Sequence, residues 1–245
     1  MSQIQISKLN YTYSDGIAAL KDIDLNLKQD SKTALVGPNG AGKTSLLLAI
    51  VGLIKTEGEI LIGNTQLTPE SVIDLRKGMS FVFQNPDELL FMPTVLEDVC
   101  FGLDTLGLTE KQIELRARKA LEQVQLSEFE QRSAHHLSYG ERRKVCLATS
   151  LARQSTLVIF DEPTRELDPH GRRNFINLFL KMAGTLILAT HDLELVLETC
   201  DQMILIDGGQ IIKMGNPKSI LIDKELMEHH RLEVPHSLTH HPHSH

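Results

Sequence analysis

Lys43 and Thr44 end the run Gly37, Pro38, Asn39, Gly40, Ala41, Gly42, Lys43, Thr44, which fits G-x-x-x-x-G-K-[ST]. Glycines at these places let the backbone curl until its N–H groups converge on phosphate oxygens. A helix opening at Lys43 adds partial positive charge at the same point. Lys43 would reach the β- and γ-phosphates, the Thr44 hydroxyl suits Mg²⁺, and Ser45 follows in the same turn. A second group, Asp161 and Glu162, closes the apolar run 157–160. Acids at the carboxyl end of a buried strand sit at the ligand crevice of an α/β sheet. Asp161 suits Mg²⁺, directly or through water, and Glu162 suits an attacking water. His191 follows the apolar run 185–189 in the same manner, and its ring would contact the γ-phosphate. The blander alternatives are a turn at Asp161-Glu162-Pro163 and a structural histidine; the phosphate loop upstream weighs against both. The chemistry that unites these groups is phosphoryl transfer to water, carried by positioning and charge stabilisation.

Such groups need strands to deliver them. Residues 4–9 and 22–27 alternate apolar and polar side chains, as half-buried antiparallel strands do. Residues 32–36 form a short apolar run into the phosphate loop, and a helical pattern runs from 43 to about 54. Residues 59–62 and 79–83 read as further strands. From about 86 to 151 the pattern turns helical, with Thr109 and Gln112 spaced as a capping box before a charged helix to residue 124. Apolar runs at 157–160, 185–189 and 203–206 then suit a buried parallel sheet. The expectation is an α/β core with an antiparallel β subdomain and an inserted helical lobe. Apolar periodicity is lost after about residue 224.

Composition narrows the class. At 245 residues and 41% hydrophobic, the chain can bury one large α/β domain. A net charge of -7 without a basic cluster argues against nucleic acid as a partner. Three distant cysteines, Cys100, Cys146 and Cys200, suit free thiols in a reducing compartment. The polar N-terminus lacks the apolar region of a signal peptide, and the longest apolar run, residues 46–54, is too short to span a bilayer. If this chain works at a membrane, another chain must hold it there.

Residues 137–141, Leu-Ser-Tyr-Gly-Glu, read first as a capping box, with Ser138 as N-cap and Glu141 three residues on. A capped helix start beside Gly140 is also an anion site. Taken in order, the phosphate loop, Gln84 after a strand, residues 137–141, residues 157–162, Glu166-Leu167-Asp168 and His191 resemble an ATP-binding cassette (ABC) ATPase, over nearly all of the chain to about residue 217. The resemblance implies a P-loop NTPase (RecA-like) core, residues 1–223, with the signature lobe at about 86–151. It implies ATP and Mg²⁺ as cofactors and ATP hydrolysis as the activity. Glu162, His191, Gln84 and Lys43 become the catalytic set. Thr44, Gln84 and Asp161 become the Mg²⁺ set. Tyr13 becomes the aromatic that stacks on adenine, with Tyr11 as its competitor. Two copies would pair head to tail, so that Ser138 and Gly140 of one grip ATP held by the other, with Asp168 at the interface. The chain departs from the family pattern at Tyr139 and Glu141 of the signature, usually Gly and Gln, and at Arg165 and Glu166, where small residues are usual.

Residues 84–99, with Phe101 and Gly102, resemble the energy-coupling factor (ECF) type importers, especially their cobalt and nickel ATPases. Leu89, Leu90, Phe91 and Met92 beside polar Asn85 and Asp87 suit a groove for a partner helix; the alternative is the lobe's own core. The implied partners are a transmembrane energy-coupling subunit and a substrate-binding membrane subunit, at the cytoplasmic face of the cell membrane. Vitamin import, a non-transport ABC ATPase and a small-molecule kinase are the competing readings. Residues 224–245 read as a flexible His-rich tail, whose removal after Arg231 leaves the ATPase unchanged. His236, His240, His241, His243 and His245 suit weak binding of transition metals. A tail that binds metal passively is the alternative.

Overall fold

The structure, a computed structural model, describes residues 2–239. Two sheets sandwich the first helix. β1 (Ser2–Thr12) and β2 (Ala18–Lys28) pair antiparallel, and β4 (Glu57–Ile62) with β5 (Thr65–Gln66) extends them in the order β2-β1-β4-β5. Their alternation, shifted by an irregularity at Lys8 of β1, puts Ile4, Leu9, Ile23 and Leu27 on one buried face. The second sheet holds β3 (Lys32–Val36), β6 (Met79–Val82), β7 (Leu157–Asp161), β8 (Thr185–Ala189), β9 (Gln202–Asp207) and β10 (Gln210–Gly215) in the order β10-β9-β3-β8-β7-β6. It is parallel except for β10, which closes the edge antiparallel to β9. β7 and β8 are buried along their whole length, as strands covered on both faces must be.

Between the sheets lies α1 (Lys43–Ile50), with Leu46, Leu47 and Ile50 packed among Ile4, Leu27, Leu35 and Ile159. The helix expected to residue 54 ends at Ile50, because the chain turns through Gly52 at a φ of 67°, which L side chains rarely adopt. A short α2 (Val72–Lys77) leads into β6.

The other sheet face carries the helical lobe: α3 (Val95–Cys100), α4 (Glu110–Gln123) and α5 (Tyr139–Arg153). All three begin with capping boxes. At the two expected from sequence, the Thr109 N–H donates to Gln112 Oε1 at 2.9 Å and the Ser138 N–H donates to Glu141 Oε2 at 2.7 Å. α6 (Pro169–Lys181) packs Phe175 and Phe179 around Phe160 of β7. Lobe and core therefore share one apolar cluster. α7 (Leu193–Thr199) follows β8.

The C-terminal segment corrects the expectation of a flexible tail from residue 224. α8 (Pro217–Leu221) and α9 (Lys224–His229) pack Ile220, Leu221 and Met227 onto Val196, Met203 and Leu205. Leu232, Val234 and Leu238 continue on the same cluster. His230 is only 8% exposed, and its Nδ1 lies 2.9 Å from Asp207 Oδ2. α10 (His236–Thr239) is held where the Ser237 N–H and hydroxyl donate to the Glu194 carboxylate at 3.0 and 2.6 Å. Too few apolar residues stand at helical spacing to signal this docking, yet the surface they meet is already apolar. His240, His241, His243 and His245 lie outside the described residues.

Candidate active site

β3, β8 and β7 lie side by side, and each releases a functional group at its carboxyl end. The phosphate loop follows β3, His191 follows β8, and Asp161 with Glu162 ends β7. Gln84 follows β6, the next strand over. These side chains therefore face one crevice, a cleft of about 980 Å³ whose walls include Tyr13, Asn39, Gly40, Lys43, Thr44, Gln84, Asp161, Glu162 and His191. Ala41, Gly42 and Ser45 also line it.

The loop's shape depends on its glycines. A Cβ at Gly37 would stand 2.0 Å from the Ile206 carbonyl oxygen, so the back of the loop has no room for a side chain. Gly42 caps α1 at a φ of 104°. Gly40 faces open space, with nothing within 4 Å of its built Cβ. Lys43 Nζ is folded onto the carbonyls of Gly37 and Pro38, at 2.7 and 3.0 Å, and lies 3.2 Å from His191 Nε2. Burial pulls Lys43 below its ordinary pKa, against the opposing pull of Glu162 and Asp161.

Across the cleft the Thr44 hydroxyl donates to Asp161 Oδ2 at 2.8 Å. Glu162 takes a backbone φ of 47°, a conformation that costs a non-glycine residue free energy. Its N–H donates to the Ala189 carbonyl at 2.9 Å. Its carboxylate accepts from the His191 N–H at 3.3 Å. Burial raises the pKa of both acids; the Thr44 hydrogen bond opposes it at Asp161, and the His191 N–H opposes it at Glu162. Burial, then the nearby Lys43 charge, lowers His191, which keeps its ring neutral at pH 7.

These donors fit a nucleotide and its metal. The open inner face at Gly40 and the unshared charge of Lys43 suit phosphate. Thr44, Asp161 and Gln84 offer the hard oxygens that Mg²⁺ takes. Tyr13 is 43% exposed on the cleft wall, its hydroxyl 2.7 Å from Ser45 Oγ, whereas Tyr11 packs against the core between the sheets.

Not all of the expected residues meet here. Ser138 and Gly140 do not line this cleft. The Ser138 hydroxyl is taken up by Glu141 Oε2 at 2.7 Å. Asp168 caps α6 by accepting from the Gly171 N–H. His236 is exposed on α10, away from the cleft walls. Sequence reading missed Thr164, Thr190 and Asp192 on the cleft wall, which are short polar residues without a motif of their own. It also missed Arg143, a buried cation on an amphipathic helix.

Comparison with known proteins places this geometry. The family pattern described as ABC transporter matches residues 20–165. A putative ABC transporter ATP-binding protein of Gloeobacter violaceus is 43% identical over 236 residues, covering 95% of this chain and 97% of that one. The energy-coupling factor transporter ATP-binding protein EcfA of Methanocaldococcus jannaschii is 38% identical over 238 residues, covering 95% and 85%. CbiO1 of Clostridium perfringens, described as part of the ABC transporter complex cbiONQ, superposes with a TM-score of 0.81 at 34% identity, covering 93% and 94%. The cassette MJ0796, described as a dimer in a post-hydrolysis state bound to ADP and Pi, has a TM-score of 0.81 at 26% identity, covering 87% and 98%. No helix among the described residues is long and apolar enough to cross a membrane. With motif order, cleft and relatives in agreement, this chain belongs to the ABC transporter ATP-binding family, as an ATPase of ATP and Mg²⁺ similar to the energy-coupling factor ATPases.

Proposed function

We propose that this chain is the motor subunit of an ECF-type importer for nickel or cobalt ions. It acts at the cytoplasmic face of the membrane through a separate transmembrane subunit. The observation that carries the coupling is the surface directly after Gln84. Asp98 accepts from the Phe91 and Met92 N–H groups, both at 3.0 Å, and so fixes this turn against α3. Phe91 and Phe101 are each 57% exposed and meet edge to face at 4.8 Å. Two such aromatics beside a buried Leu90 offer an apolar seat for a partner helix. EcfA and CbiO1, named as parts of transporters, support the same reading.

The active unit is a head-to-tail dimer. Ser138 and Gly140 lie outside the chain's own cleft, so a second copy must bring them to its γ-phosphate. Bound ATP and Mg²⁺ supply the phosphoryl group and the cation that offsets its charge. Lys43 exchanges its two loop carbonyls for phosphate oxygens. Tyr13 stacks on the base. Glu162, its pKa raised by burial, takes the proton of the attacking water, while neutral His191 holds the γ-phosphate edge. Gln84, at the start of the partner-facing segment, links that geometry to the membrane subunit.

The cargo assignment rests on residues 84–102 and on the histidines at 236, 240, 241, 243 and 245, which suit nickel and cobalt. Its test is uptake by the reconstituted complex in proteoliposomes containing ATP and Mg²⁺. Radioactive nickel or cobalt should accumulate, and F91A/F101A should abolish accumulation while the isolated ATPase keeps its turnover. Accumulation of a vitamin with no metal uptake would transfer the assignment to the competing reading.

A further inference from the structure

Arg143 is 4% exposed, and no carboxylate of the described residues pairs with it, whereas its neighbour Arg142 meets Asp87 at 3.3 Å. A buried charge without an ionic partner is costly. Two of its guanidinium nitrogens donate to main chain instead, and the buried Nε has no partner among the described residues. Nη1 donates to the Phe83 carbonyl at 3.1 Å and Nη2 to the Glu162 carbonyl at 2.6 Å. Phe83 is the residue before Gln84. Tyr139, four residues earlier on the same face of α5, donates its hydroxyl to the Gln84 carbonyl at 3.3 Å. Its ring centroid lies 5.5 Å from the Arg143 guanidinium. One face of α5 thus holds the backbone of both Gln84 and Glu162. At Glu162 it holds a residue whose φ of 47° needs an external restraint.

The N-cap of this same helix is Ser138 of the signature motif. Arg143 also lines a half-open hollow of about 260 Å³ bordered by the end of α4, α5 and α6. Any movement of α5 pulls on two carbonyls of the hydrolytic centre.

We propose that Arg143, assisted by Tyr139, is a positioning residue that sets the catalytic geometry of Glu162 and Gln84 according to whether the signature motif of the same chain is engaged by the partner's nucleotide. Closure of one site of the dimer is thereby reported to the other. The inference rests on Glu162 acting as the hydrolytic carboxylate.

The experiment compares wild type, R143Q, R143K, E162Q and E162Q/R143Q in steady-state and single-turnover ATP hydrolysis. R143Q should lower kcat about 10- to 100-fold, with KM for ATP within about threefold and far-UV circular dichroism unchanged. R143K, which keeps the charge but cannot bridge both carbonyls, should recover part of that loss. In the E162Q background the loss caused by R143Q should be much smaller than in wild type, because its path through Glu162 is already removed and only the one through Gln84 is left. Wild-type kcat in R143Q, a loss confined to KM, or losses that multiply in full in the double variant would overturn the proposal. If R143Q does not fold, R143K and Y139F decide: lowered kcat at unchanged melting temperature supports it, and wild-type kcat in both overturns it. Full turnover in E162Q alone would instead remove the role of Glu162, an outcome read without any Arg143 variant.

Discussion

Thr44 and Asp161 meet across the cleft, the hydroxyl donating to Oδ2 at 2.8 Å, and so join the phosphate loop to the carboxyl end of β7. The contact brings together two oxygens suited to Mg²⁺ from residues more than a hundred positions apart. Each orients the other. T44A should therefore weaken the Mg²⁺ dependence of hydrolysis on the order of tenfold or more. A Mg²⁺ titration of ATPase rate checks it, and an unchanged half-saturation point would remove Thr44 from the metal set.

Glu162 should show its burial in two measurements. E162Q removes the proton acceptor and should cut turnover by about 10²- to 10⁴-fold while ATP binding persists and closed dimer accumulates. Its folded pKa lies above the ordinary carboxylate value. The folded state then holds this proton more tightly than the unfolded state, so stability falls as pH rises from the unfolded to the folded pKa, and the cost persists above it. E162Q should accordingly melt higher than wild type at pH 7.5, a gain that fades as pH falls through the folded pKa and is gone by about pH 4. Scanning fluorimetry across pH measures it.

The same shift should appear in kinetics. The acid limb of the kcat/KM–pH profile, which reports the free enzyme, should fall at a pH above the ordinary glutamate range, because protonated Glu162 cannot take a proton. His191, shifted down by burial, remains neutral through the neutral range and contributes no limb there. An acid limb at the ordinary glutamate pKa would contradict a buried base.

The two N-terminal tyrosines should separate cleanly. Y13A removes an exposed ring on the cleft wall and should weaken ATP binding by about 1–3 kcal/mol, the worth of one base stacked on an aromatic side chain. Y11A removes a ring packed on the core and should lower the melting temperature with little change in KM. Isothermal titration and thermal melts of both variants test the pair.

Truncation after Arg231 should destabilise the chain. It removes Leu232, Val234 and Leu238 from their apolar cluster and the two Ser237 bonds to Glu194 at the start of α7. At about 1 kcal/mol for each partly buried side chain, the melting temperature should fall by roughly 5–10 °C. A melt identical to wild type would return residues 232–239 to the status of a free tail.

The candidate residues that line the cleft were legible from sequence because their signals are local. Strand-ending runs at 32–36, 157–160 and 185–189 announce groups at a sheet's carboxyl edge, and the capping boxes at Thr109 and Ser138 lie within three residues. Spacing along the chain is covalent, so it survives without knowledge of the fold. What the tertiary structure decided involves partners far apart in sequence. Tyr13 rather than Tyr11 lines the cleft because it stands just past the end of β1, whereas Tyr11, still in the strand, packs against the core between the sheets. The segment from Lys224 docks because β9, α7 and α8 present an apolar surface that no local pattern declares. Arg143 belongs to no motif of the sequence; only packing shows it buried, 4% exposed, on the carbonyls of Phe83 and Glu162. A side chain whose hydrogen bonds all go to backbone leaves no residue-type signature, because every residue carries the same carbonyl.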